Sequence, residues 1–243
     1  MDHTRVKLGK LAAKHDDRTL RLANYLTPNL PLPPDSCDWT PKALPFTMAG
    51  NDQYGDCVLA AKAHLIKLWT ACQGKPITVS DASVVAEYQK LTGGVDSGLV
   101  MLDILKLMKN TGIFGHKIGA FLAVDHQNIA EMHQGIYLFG GVDCGWALPL
   151  SANGKTAWSV LDPKLSGKNK PGSWGGHDAP MVAYSAGSAK VCTWATLYPC
   201  SDAFTKAYCD EMYVILSPDW VNGNAKAPNG FNLATLQSDL ARL

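Results

Sequence analysis

A chain of 243 residues, 47% of them hydrophobic, is long enough to bury a large core as one domain or two packed lobes. Twenty-two basic residues against twenty-one acidic ones leave a formal charge of +1 with neither sign in a block, which argues against a nucleic-acid partner. No apolar run approaches the roughly 18 residues of a membrane span.

The N-terminus scatters charges through "MDHTRVKLGKLAAKHDDRTLRLANYL" and lacks the apolar core of a signal peptide, so the expectation is a protein made in the cytosol. Residues 1–34 read as a polar arm ending in a proline-rich stretch (Pro28, Pro31, Pro33, Pro34) that favours extended backbone. A domain boundary is placed near Pro34. From Cys57 to Cys72, Val58, Ala61, Leu65 and Leu68 recur at helical spacing and predict an amphipathic helix running to Gly74. A second helix is expected from Ser80 or Asp81, with Val84, Tyr88 and Leu91 inward, and a third over Leu99 to Asn110, stopping at Gly112. "KIGAFLAV" reads as a strand, and "DHQNIAEMHQGIYLF" as a helix capped by Asp125.

The second half changes character. "GVDCGWALPL", "APMVAYSA", "AKVCTWATL" and "DEMYVILS" read as short strands, separated by the turn-rich "DPKLSGKNKPGSWGG" and by "YPCSDAFTKAYC". Helices first and strands later predict an α+β protein, a helical lobe packed on an antiparallel sheet or barrel. The domain is placed at 35–220, with the helical lobe at about 50–125, the β lobe at about 126–220, and 221–243 as a tail with a short helix.

Seven cysteines, none in a C-x-x-C pair, disfavour both a zinc site and a disulfide scaffold, and no metal or cofactor is expected. Cys57 differs from the rest because it opens a predicted helix. There the helix dipole favours thiolate over thiol. The turn before it, "NDQYGD", carries two amides, Asn51 and Gln53, able to donate toward an oxyanion, as does the Cys57 main-chain N–H. Among seven histidines, His177 follows "SWGG" and opens a strand, a place from which an imidazole can project into a cleft. Taken alone, the Cys57 stretch favours an ordinary buried cysteine after an ordinary helix-leading turn, and His177 reads equally well as an ordinary loop histidine.

Several stretches from about Pro34 to Trp220 resemble papain-like (clan CA) cysteine peptidases. "PDSCDW" resembles their mature start, "GGVDSGLVMLDILKLMKNTGI" their glycine-rich substrate loop and following helix, "GGHDAPMVAY" their histidine strand, and "VCTWAT" their N-S-W-G segment. The chain also looks like uncharacterised papain-like proteins of bacteria, phages and prophages. The resemblance implies a Cys57–His177 dyad, an oxyanion amide at Asn51 or Gln53, and a cleft lined by Gly98, Trp174 and Trp194. It places the histidine-orienting asparagine on Cys192 or Thr193. Thr193 could accept a hydrogen bond; Cys192 would do so poorly.

Two functions follow from the resemblance. One is a peptidase or amidase-type hydrolase acting on peptide or protein substrates, with a site weakened by the missing asparagine. The other is a retired papain-like module with protein partners in an assembly such as a phage virion. The arm is far shorter than the inhibitory pro-segments of papain-like zymogens, which predicts an unrestrained cleft.

Overall fold

A computed structural model describes residues 6–26, 30–221 and 226–229. Most of the predicted C-terminal tail lies outside these residues. The central element is helix α1, Cys57–Cys72, buried on nearly every face because both lobes pack on it. Helix α2, Asp81–Thr92, is capped by Ser80, whose hydroxyl accepts from the Ser83 N–H at 3.1 Å, and stops at Gly93 in the left-handed conformation. Helix α3, Met101–Asn110, buries Leu102, Ile104, Leu105 and Met108.

Helix α4, Ile129–Phe139, begins three residues later than its predicted cap implies. Asn128 accepts from the Glu131 N–H, whereas Asp125 closes a turn with the Gln127 N–H. Either short acceptor can cap; the one adjoining the first buried turn does so.

Among the described residues, eight strands form two antiparallel sheets: β1 Cys37–Asp38, β2 Ala120–Ala123, β3 Asp143–Leu148, β4 Gly175–Asp178, β5 Met181–Ser185, β6 Ser188–Thr193, β7 Thr196–Ser201 and β8 Cys209–Leu216. Their orders are β2-β8-β3-β4 and β1-β5-β6-β7. Strand β2, within the segment assigned to the helical lobe, pairs with β8 and so belongs to the β lobe. In the first sheet His177 stands opposite Trp146.

Two features depart from the sequence reading. "VCTWAT" is not one strand: Trp194 and Ala195, at φ +46° and +57°, turn the chain between β6 and β7. The segment "YPCSDAFTKAYC", read as a separator between strands, holds most of β7 and helix α5, Asp202–Tyr208, capped by the Ser201 hydroxyl. Among the described residues no helix is long and apolar enough to cross a membrane.

Candidate active site

Cys57 is the first residue of α1, and β4, which carries His177, packs against that helix. The main chain of Asp178, the residue after His177, lies near Cys57, and its N–H favours the thiolate. Both side chains are fully buried. His177 Nε2 lies 2.7 Å from the Thr193 hydroxyl, its Nδ1 has no hydrogen-bond partner, and its ring stacks on Trp194 with centroids 4.4 Å apart. Thr193 and Cys192, as strand neighbours, face opposite ways, so only the threonine meets the imidazole.

Trp194 is held from several sides. Trp174 packs 5.7 Å away, Trp158 lies on another side, and the indole N–H donates to Asn51 Oδ1 at 2.7 Å. These contacts hold a bulky residue at positive φ, a conformation costing on the order of 1–3 kcal/mol. Asn51 also donates to the Tyr54 carbonyl at 3.0 Å, whereas Gln53 is exposed on the turn. Gly98 sits at φ +75° and donates to the Tyr88 hydroxyl, while a Cβ at Gly93 or Gly94 would meet no atom within 4 Å.

The cleft is filled by the chain's own N-terminal segment. Lys7 N–H donates to the Asn51 carbonyl at 2.9 Å, Leu99 N–H to the Gly9 carbonyl at 2.9 Å, Leu11 N–H to the Leu99 carbonyl at 2.9 Å, and Lys10 N–H to the Gly176 carbonyl at 3.1 Å. The Gly9 main chain lies near Cys57, where its N–H favours the thiolate. The expectation that so short an arm leaves the cleft open does not hold, because five residues of extended backbone span the thiol. Nothing in the arm's composition signals this: its contacts are main-chain bonds between segments far apart in sequence.

The covered site is held in its neutral form. Burial pushes the Cys57 thiol up to about 12, with Asp178 adding to the effect, and burial, with the nearby His64, pushes His177 down to about 3. Desolvation opposes both charges of a thiolate–imidazolium pair. Sequence reasoning also missed two buried polar groups, one on α1 and one just before it. Lys62, five residues along α1, forms ion pairs with Asp143 and, at 2.8 Å, with Asp178, all three fully buried. Asp56, next to Cys57, is buried with neither oxygen making a close hydrogen bond.

Burial pushes the Asp56 carboxyl up to about 8 despite the Asn51 amide beside it. Between about pH 4 and 8 the native state therefore holds a proton that the unfolded chain has released, and stability falls as pH rises by up to about 1.4 kcal/mol per unit. Asp56→Asn should flatten that slope in denaturant melts at about pH 5 and about pH 7.5. An unchanged slope would place the Asp56 proton elsewhere.

No protein-family model matches this chain, and no curated protein matches it in sequence. Solved structures do match in fold. Xylellain, a cysteine protease from Xylella fastidiosa, superposes with a TM-score of 0.65 at 17% identity, covering 87% of this chain and 96% of that one. Procathepsin B S9 from Trypanosoma congolense gives 0.61 at 12% identity, covering 87% and 86%. Digestive procathepsin L 3 of Tenebrio molitor larval midgut gives 0.57 at 12%, covering 88% and 76%. The fold is thus the two-lobe, papain-like α+β fold.

Proposed function

We propose that the chain is a cysteine peptidase held latent by its own N-terminal segment. The observation that carries this reading is an extended peptide lying across Cys57, its backbone anchored on both walls of the cleft. A cleft that binds peptide main chain over a helix-terminal thiol is suited to cutting peptides once the arm leaves. Two of the similar structures are themselves procathepsins, in keeping with a covered state.

In the open site water would lower the cost of both charges, and the unpartnered Nδ1 of His177 is the base available to Cys57. The thiolate attacks the peptide carbonyl, forming a C–S bond as the carbonyl electrons move to oxygen. The Cys57 main-chain N–H, without a helical acceptor at the start of α1, and the Asn51 amide are the donors proposed for that oxyanion. The C–N bond then breaks, the imidazolium gives its proton to the leaving amine, and water hydrolyses the thioester. Thr193 holds the ring through Nε2, and Trp194 covers that contact.

The test is hydrolysis of fluorogenic peptides by full-length Gly9→Val protein, whose arm cannot seat, with and without Cys57→Ala or His177→Ala. Turnover that stops with either second substitution is expected. A freely alkylated Cys57 without turnover would favour the binding-module reading instead. Thr193→Val, leaving the ring without its partner, should lower kcat by about 100-fold at nearly constant KM. Thr193→Asn should retain activity. Equal rates in all three proteins would remove Thr193 from the site.

A further inference from the structure

The hydrolytic chemistry leaves one part of the cleft unused. Lys10 turns its side chain off the arm into a pocket over the paired strands β3 and β8, where that side chain is 1% exposed. Its ammonium lies 2.9 Å from Asp210 and 3.0 Å from Glu211. The other Glu211 carboxylate oxygen accepts from the Tyr213 hydroxyl at 3.1 Å, fixing the group that meets the ammonium. Gly145 of β3 forms the wall, and a Cβ there would come within 2.3 Å of Lys10 Cε. Burial works against the Lys10 charge, but Glu211 and then Asp210 more than offset it, and its pKa is raised.

We propose that this pocket selects the peptide: a substrate taking the arm's place is chosen for a lysine or arginine side chain at the position Lys10 fills. The inference rests on the peptidase reading for its premise that free peptides enter the cleft. Main-chain pairing on Leu99 and Gly176 holds the residue at this position but reads no sequence. Discrimination therefore falls to the pocket its side chain enters. An apolar side chain there would leave the Glu211 carboxylate buried without a counter-charge, and an acidic one would add repulsion.

The experiment measures binding, so it does not need turnover. Fluorescein-labelled peptides with the sequence of residues 6–13, differing only in Lys, Arg, Leu or Glu at the Lys10 position, are titrated by anisotropy into full-length Gly9→Val/Cys57→Ala protein. Lys and Arg peptides should bind at least about tenfold more tightly than Leu, the Glu peptide not measurably, and Glu211→Leu should reverse the Lys–Leu order. Equal binding of Leu and Lys, no binding by any peptide, or an order that Glu211→Leu leaves unchanged overturns the proposal.

A second measurement uses the closed protein. Lys10→Glu should speed alkylation of Cys57 by about tenfold or more, while Lys10→Arg keeps it slow; an unchanged rate in Lys10→Glu overturns the proposal. Basic selectivity without hydrolysis would sink the peptidase reading and leave the pocket standing. Hydrolysis indifferent to a basic residue would do the reverse.

Discussion

Replacing Gly9 with valine should raise the alkylation rate of Cys57 by about three orders of magnitude near neutral pH. A Cβ at this position would lie 1.7 Å from the Gly55 carbonyl oxygen, and that neighbour is backbone, which cannot swing aside. The arm must leave, taking its main-chain bonds to Asn51, Leu99 and Gly176 with it. Water then reaches a thiol whose pKa had been pushed up to about 12 by burial. A return toward the ordinary value of about 8.5 multiplies the thiolate fraction by about three thousand, since each unit is a factor of ten below the pKa. Iodoacetamide labelling followed by mass spectrometry checks this, with the half-buried Cys37 and Cys72 as internal references. A rate equal to wild type would mean that the arm does not control access.

Lys62→Met should destabilise the fold by about 3–5 kcal/mol, the range for removing one partner from a buried ionic cluster. The ammonium sits between Asp143 and Asp178, and each carboxylate keeps one oxygen without a hydrogen bond. Without the lysine, two buried carboxyls face each other, and Asp178 is already raised well above the ordinary carboxylate range by burial and by Asp143. Protonating them relieves the repulsion, so the loss should shrink as pH falls toward about 4 and grow above it. Urea melts across that range provide the measurement. Lys62→Met combined with Asp143→Asn and Asp178→Asn should recover much of the loss; a triple variant no more stable than the single one would contradict this. The cluster ties α1, which carries Cys57, to β4, which carries His177, so its loss also loosens the two ends of the proposed dyad.

Much of the helical scaffold was legible in the sequence, because apolar spacing over a long segment such as Val58 to Leu68 has few other solutions. The order of cysteine, glycine loop, histidine and tryptophan led to the papain-like fold. The turn at Trp194–Ala195 was not legible, since two-residue hairpins are ordinarily marked by Asn or Gly. Here tertiary contacts to His177, Trp174 and Asn51 hold a tryptophan in a conformation that its local sequence disfavours. Lys62 was hidden for a related reason: a lysine inside an apolar helix gives no sign that carboxylates from two distant strands will surround it. The arm was read by its polarity, but what seats it is its glycine and the glycines it touches, which carry no periodic signal.

Those glycines divide into two kinds. Gly98 adopts a backbone conformation that favours glycine whether or not anything lies over it. Gly9, Gly55 and Gly176 have no such need; a Cβ on Gly9 would meet Gly55, one on Gly55 the Leu8 carbonyl oxygen at 2.7 Å, and one on Gly176 the Lys10 carbonyl oxygen at 2.1 Å. Space for the arm is thus the constraint at these three positions. Across a set of homologues, the three should be glycine together where the arm is retained, and positions 55 and 176 should accept side chains together where it is lost, while the residue at 98 stays glycine in both groups. Natural sequence variation would then separate self-covering members of the lineage from permanently open ones without a single assay.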